Sequence, residues 1–543
     1  MPDKITATRV LCQGGLNRNE NSFLLSAVSP GSGSSLLNYE TNQAGGYRRI
    51  SGYSKLHATF AEVTSITDPA EGKVLGIWVF YNNATSAYEY IAARKQTSGN
   101  TYKFYLYNAS TGWSAFSPGF TQTYSTAIYR VRGLSFNFGI GNHMVFVDGV
   151  NKAVIYDGTS WYQLSSANSG GSGSPGGNQV INSPVVVSVF KQSIFLAKGA
   201  IISYSAPTDP FTWTVAAGGG QQIFEEEVVN IKPFRERLFV WGSGKIGEIE
   251  GYIDNAGDAG FLFNPVTSSL GCISRDSIIE VGGNLLFMAP DGIHPIAGTQ
   301  RNDDIELTLL SEAIQTVINN VIDTYNMDEI VALNIQSKTQ FRLFISDGSD
   351  EISDSYGIIG CLRLNGGDGP IWEFFELMGI RANCAWSGVV SGQEVILHGD
   401  YNGLVYVQES TNSFDGSNIV AVYTTPYLDF GDTEIRKTFR KWNTFIKPEG
   451  SATLDMAVRY DWGSQYVLNP RDYTDIVLAD APKYGNDFQY NDGSVYGGDS
   501  VLRFTQNIEG SGYSIQISYV SDGVYSPYTI QGFVPEFSIK GRN

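Results

Sequence analysis

Four histidines, His57, His143, His294 and His398, stand apart in this sequence. None belongs to an H-E-x-x-H or H-x-H pair, the spacings that turn two imidazoles onto one metal ion. Three fall within or beside apolar runs, where a hydrogen-bonded packing role is expected. Gly242-Ser243-Gly244-Lys245 has the outline of a phosphate loop. It lacks the G-x-x-x-x-G-K-[ST] spacing, Ile246 replaces the hydroxyl residue, and no parallel α/β unit surrounds it. Phosphate chemistry is therefore not expected there. Asp347, Asp350, Glu351 and Asp354 crowd one loop, and Asp254 and Asp258 another. Oxygen-rich loops can bind Ca²⁺, but neither follows the EF-hand order, so solvated hairpin tips are expected. Cys12, Cys272, Cys361 and Cys384 are scattered without a C-x-x-C, which predicts free, partly buried thiols.

Catalysis finds no better support. No G-x-S-x-G elbow occurs. Tyr156-Asp157-Gly158-Thr159-Ser160-Trp161 loosely matches the Asp-box S-x-D-x-G-x-T-W of propeller glycosidases, but the Ser and Asp spacing fails and no arginine cluster accompanies it. The expectation is a protein that is not an enzyme and needs no cofactor or metal.

The elements that would position any site are easier to read. From His143 to Leu164, apolar runs at Val145-Phe146-Val147 and Val154-Ile155-Tyr156 are separated by Asp148-Gly149 and Asp157-Gly158. Asp-Gly between short apolar runs signals antiparallel hairpins, because glycine accepts the positive φ of the turn. The phrase returns around Phe195, Phe239 and Phe287, so that the four central phenylalanines lie 49, 44 and 48 residues apart, with weaker copies at Tyr90, Phe344 and Ile396. A repeat of this length built of several short strands is the signature of a β-propeller blade. Trp113, Trp161, Trp213 and Trp372 each follow a strand end and a polar turn. Such residues can pack between neighbouring sheets.

The chain has 543 residues, 61 of them glycine, 13% aromatic and only 17% charged, a mix suited to short strands and turns. It has no apolar run long enough for a membrane span, and MPDKITATRV lacks the features of a signal peptide, so assembly in a cytoplasm is expected. The net charge of −18 argues against a protein that grips nucleic acid, and suits either simple solubility or a surface over which a polyanion slides.

The reading is all-β: a propeller of about seven blades over residues 61–420, an N-terminal extended arm over 1–60 and a sandwich-like region over 421–543. Residues 168–179, rich in Gly and Ser, are expected to be a flexible surface loop. Leu310, Ile314, Val317, Ile318 and Val321 recur at helical spacing and predict an inserted helix near 309–322.

Two stretches carry a family likeness. Asn38-Tyr39-Glu40 followed by Gly46-Tyr47-Arg48-Arg49 and Gly52-Tyr53, then Thr425-Pro426, Asp429, Gly431 and Arg436-Lys437, resembles bacteriophage tail proteins of the nozzle or hub type. The segments Tyr204 to Trp213 and Leu285 to Gly298 fall in the expected order between them. The resemblance implies a structural virion protein: a ring of identical subunits, six in number, around the DNA channel and serving genome retention and ejection. It also implies attachment to the tail adaptor and portal-side proteins, with fibres or spikes as further partners. On this reading the protein resides in the virion tail and is assembled in the bacterial cytoplasm. The alternative is a tail-tip propeller that binds a receptor or glycan.

Overall fold

The computed structural model describes residues 5–56, 72–96, 99–116, 118–128, 130–253, 259–296, 309–345, 355–364, 370–464, 467–478 and 501–539. The repeat read from the sequence becomes a ring of radial antiparallel sheets. The first blade is formed by Val74–Asn82, Ala87–Lys95, Thr101–Asn108 and Gly112–Ala115, and the second by Arg132–Asn137, Asn142–Val147, Val154–Tyr156 and Trp161–Gln163. The third and fourth blades run over Val186–Phe190 to Gly220–Ile223 and Asn230–Phe234 to Ala259–Thr267. Ile279–Val281, Asn284–Ala289 and Gly292–Pro295 make a fifth blade of three described strands. Another free-standing sheet begins at Cys384–Val390, so six blades are discrete sheets. Between the fifth and this last one, Val331–Ile335, Gln340–Ile345, Tyr356–Arg363 and Ile371–Met378 occupy a blade position within a nine-stranded sheet.

The ruler residues share one structural place. Tyr90, Phe146, Phe195, Phe239, Phe287, Phe344 and Ile396 each lie on the second strand of their unit. That strand is flanked by both neighbours, so its apolar run meets apolar side chains on each face. Separate buried clusters fill the gaps between the first and second, second and third, third and fourth, and fourth and fifth blades. Ile77, Val79 and Trp113 of the first blade pack with Cys384, Leu397 and Val405 of the last, and the circle closes.

Closure rests on hydrogen bonding between strands far apart in the chain. The last blade supplies three strands, Cys384–Val390, Gln393–Gly399 and Val405–Thr411, and its fourth is Gly52–Lys55 from the N-terminal arm. At Gly52 a Cβ would lie 1.9 Å from the Ser413 carbonyl oxygen, so only glycine allows this approach.

The rest of the arm enters a two-sheet sandwich. Ser35–Leu37 pairs with Ile419–Thr424 and, in parallel at Leu37 and Glu376, with the unit ending at Met378. The nine-stranded sheet then continues through Ile515–Gly523, Ala452–Tyr460 and Tyr473–Leu478. The facing sheet joins Lys437–Pro448, Tyr528–Ile539, Tyr47–Arg49 and Tyr39–Thr41 with shorter strands, Ile5–Ala7 among them. Alternate residues of Ala452–Tyr460 are buried, the pattern of a half-covered strand. The Trp442 indole N–H donates to the Tyr519 hydroxyl across the sandwich at 2.7 Å.

The inserted helix spans Gln315–Thr324, with Val317, Ile318 and Val321 buried. The Gly/Ser-rich stretch lies largely at the surface, with Gly176 and Gly177 buried. Gly176 bridges to both Ser165 and Thr212, and Asn168 Nδ2 donates to the Pro175 carbonyl at 2.7 Å. A Cβ at Gly176 would meet the Ser165 carbonyl oxygen at 1.9 Å. Gly176 and its neighbour Gly177, where a Cβ would lie 2.4 Å from the Trp213 carbonyl oxygen, are needed for close backbone approach between two blades.

Candidate functional site

The residues of the first stretch of the family likeness, Asn38 to Tyr53, converge where arm, blades and sandwich meet. Glu40 is the hub, a buried carboxylate on Tyr39–Thr41. Its Oε1 accepts from Arg48 and from Lys338 Nζ, each at 2.7 Å. Its Oε2 accepts from Gln340 at 3.1 Å and faces Arg342, itself fully buried, at 3.4 Å. Glu409 of the last blade completes the array by pairing with Lys338 at 2.6 Å and with Arg342. Arg48 reaches the other way and binds Glu449 of the sandwich through two bonds of 2.6 and 2.7 Å. One connected ionic network therefore joins two blade units, the arm and the sandwich. Burial alone would raise the Glu40 pKa; Lys338, Arg48 and Arg342 outweigh it and hold the carboxyl down at about 2.

Neighbouring motif residues serve the backbone. Asn38, at φ 56°, donates to the Val420 carbonyl at 2.8 Å and accepts from the Met378 N–H at 2.9 Å. The Arg49 guanidinium bonds the carbonyls of Ile419 (3.2 Å), Gly523 (2.6 Å) and Tyr525, and burial lowers its pKa. The Tyr39 and Tyr528 hydroxyls meet at 2.8 Å, and the Tyr47 hydroxyl accepts from Gly15 and donates to Gly31. Gly46 takes φ 96° where a Cβ would strike the Ile530 carbonyl. Tyr53 stacks on Phe414 and presents its edge to His398. His398 is buried, and burial with the nearby Arg342 charge lowers its pKa to about 3.

The second motif splits. Thr425 bonds strand Ile515–Gly523 through its N–H and hydroxyl, next to buried Pro426. The Asp429 N–H donates to Ser26, and Asp429 Oδ1 caps Gly431 at φ 92°. Arg436 and Lys437 lie apart, on carbonyls of Ser511 and of Asp432, Ile435 and Tyr513. Burial lowers the Lys437 pKa.

Other chemical candidates are structural where described. His143 Nδ1 lies 2.9 Å from the Gly141 carbonyl, and His294 Nε2 is 2.9 Å from Asp291. Gly242 to Lys245 form a hairpin turn closed at 2.9 Å. All four cysteines are free and fully buried, with burial raising the thiols to about 11 or 12. His57 and both acidic loops lie outside the described residues. Among those described, no group of three or more His, Cys, Asp or Glu side chains could hold a metal ion, and no helix is long and apolar enough to cross a membrane.

A second constellation carries no signal in the sequence. On the propeller axis is a cavity of about 220 Å³ whose charged lining is Arg130, Arg132, Lys232 and Asp276. Asp276 accepts from Arg130 at 2.9 Å and from Arg132 at 2.8 and 2.6 Å. These residues come from separate blades and loops, and no local spacing could have linked them.

No family model matches the chain, and no curated protein matches it. Among solved structures it is similar to BBS1N in complex with ARL6DN, soaked with mercury, at 10% identity and a TM-score of 0.33, over 69% of this chain and 97% of that one. It is also similar to the exo-β-1,3-galactanase of Phanerochaete chrysosporium with galactose, at 11% identity and a TM-score of 0.26, over 90% and 100% of the two chains. Likeness at this level carries no functional argument. The fold is that of a β-propeller, common to enzymes and non-enzymes.

Proposed function

We propose that this chain is a structural subunit of a phage tail, a non-enzymatic nozzle or hub that forms a ring around the DNA path and docks on the tail adaptor. The observation that carries the reading is the Glu40 network. Glu40, Arg48 and Arg49 of the family likeness are engaged in binding blades, arm and sandwich into one body, as a load-bound wall requires. Duplex DNA does not fit the propeller's own axis, because its cavity of about 220 Å³ is smaller than even the roughly 300 Å³ of a small-ligand pocket. In this reading the duct lies between subunits. The sandwich end offers surface for such contacts: Ile5, Leu11, Phe23, Leu24 and Val28 are all exposed. Sedimentation of the purified chain with its adaptor tests the reading, with a closed ring as the expected species. A persistent monomer, or a peripheral position in electron micrographs of the particle, refutes it. Phe23→Asp with Val28→Asp should abolish assembly and leave subunit melting unchanged.

A receptor-binding propeller is the second reading. It is favoured by Tyr81 and Tyr88, exposed on one hairpin with ring centroids 5.1 Å apart. Binding to host-envelope glycans that is lost in Tyr81→Ala would support it over the first.

A further inference from the structure

We propose that the axial cavity of the propeller is a binding site for a small oxyanion of the phosphate class, held by Lys232 together with the free edge of the Arg132 guanidinium. The inference is independent of any role in a tail.

Charge makes the first argument. In a chain of net charge −18, this cavity is lined by three cations and one carboxylate. The carboxylate is already committed: Asp276 accepts three bonds from Arg130 and Arg132, and those two cations hold its pKa down against burial. Arg130 is also committed, since its remaining donors bond the carbonyls of Asn383, Asp328, Glu329 and Ile330.

Donor count makes the second. Arg132 uses three N–H groups, two on Asp276 and one on the Val185 carbonyl at 3.4 Å, out of the five a guanidinium carries. Lys232 makes no hydrogen bond or ion pair among the described residues. It is open to the cavity, where reduced access to bulk water lowers its pKa despite the pull of Asp276. An ammonium held this way, with three unused donors beside two on Arg132, is matched by an oxyanion that accepts several bonds at once. Volume sets the size: the cavity admits inorganic phosphate and excludes a nucleic-acid strand.

Titration calorimetry and thermal melting of the full chain with inorganic phosphate, against chloride at equal ionic strength, test this. Phosphate is expected to bind the parent and raise its melting midpoint. Lys232→Gln should weaken binding at least tenfold and remove the shift, and Lys232→Arg should retain both. A 5′-phosphorylated oligonucleotide should produce no displacement of bound phosphate. The proposal is overturned if phosphate does not bind the parent, if Lys232→Gln binds as well as the parent, or if the oligonucleotide competes. Melting of both variants without phosphate reports their folding.

Discussion

Replacing Glu40 by glutamine removes one charge and almost no volume. The side chain is 2% exposed and faces donors on both oxygens, Arg48 and Lys338 on one, Gln340 and Arg342 on the other. Whichever way the amide turns, its NH₂ meets a donor. The carboxyl is held at about 2 against an ordinary 4.5, a depression of about 2.5 units. At 1.36 kcal/mol per unit this corresponds to about 3 kcal/mol of folding free energy carried by the ionised form. It agrees with the roughly 3–5 kcal/mol lost when one member of a buried ion pair is removed. Because the folded pKa lies below the unfolded one, the contribution is complete above about pH 4.5 and disappears as pH falls toward 2. Glu40→Gln should therefore lower Tm by several degrees at pH 7, at roughly 2 °C per kcal/mol for a large cooperative unit. The gap between parent and variant should narrow through acid. Scanning calorimetry from pH 7 to pH 2.5 measures both. Equal melting at pH 7, or a gap that widens in acid, refutes the assignment of Glu40 as the charged hub.

Other expectations follow from single contacts. Gly52→Val, which puts a side chain into the Ser413 carbonyl, should open the last blade and create a protease-sensitive site near residue 52. Cleavage mapping detects this. Arg49→Ala leaves the carbonyls of Ile419, Gly523 and Tyr525 without their donor and should cost at least about 3 kcal/mol in denaturant unfolding. Arg49→Lys should not restore it, because an ammonium lacks the planar fork. His398 is held neutral, so its folded pKa is near 3 while the unfolded value is 6.5. Parent stability should fall as pH drops from 6.5 toward 3, and His398→Gln should flatten that limb in pH-dependent melting.

Periodicity was readable because each blade is local. Phe146 and its strand partners lie within about twenty residues, so apolar alternation and turn residues encode them directly. The closing strand was not readable, since Gly52–Lys55 pairs with residues 406–411 and nothing in either stretch specifies the other. For the same reason an arm expected over residues 1–60 is distributed through both sandwich sheets and the last blade. Arg48 and Arg49 could be named from their motif. Their partners Glu449, Tyr525 and Gly523 could not, because folding brings them together from the far end of the chain. Within residues 168–179, the close packing of Gly176 and Gly177 was not readable, because composition alone does not distinguish a glycine needed for backbone approach from one in an open turn.

The placement of the first fifty residues has a consequence for synthesis. Ile5–Ala7 and Tyr47–Arg49 pair with Tyr528–Ile539, Ser35–Leu37 with Ile419–Thr424, and Gly52–Lys55 with Val405–Thr411. At roughly 5–20 residues per second, a ribosome needs about 20 to 80 seconds to deliver the earliest of those partners. Throughout that interval the strands of residues 5–55 lack these partners, and Tyr39 and Tyr47 have only each other's short strands beside them. In each of these pairs the strand made earlier is completed only when its distant partner follows, and a shielding factor at the exit tunnel would act on it in the interval.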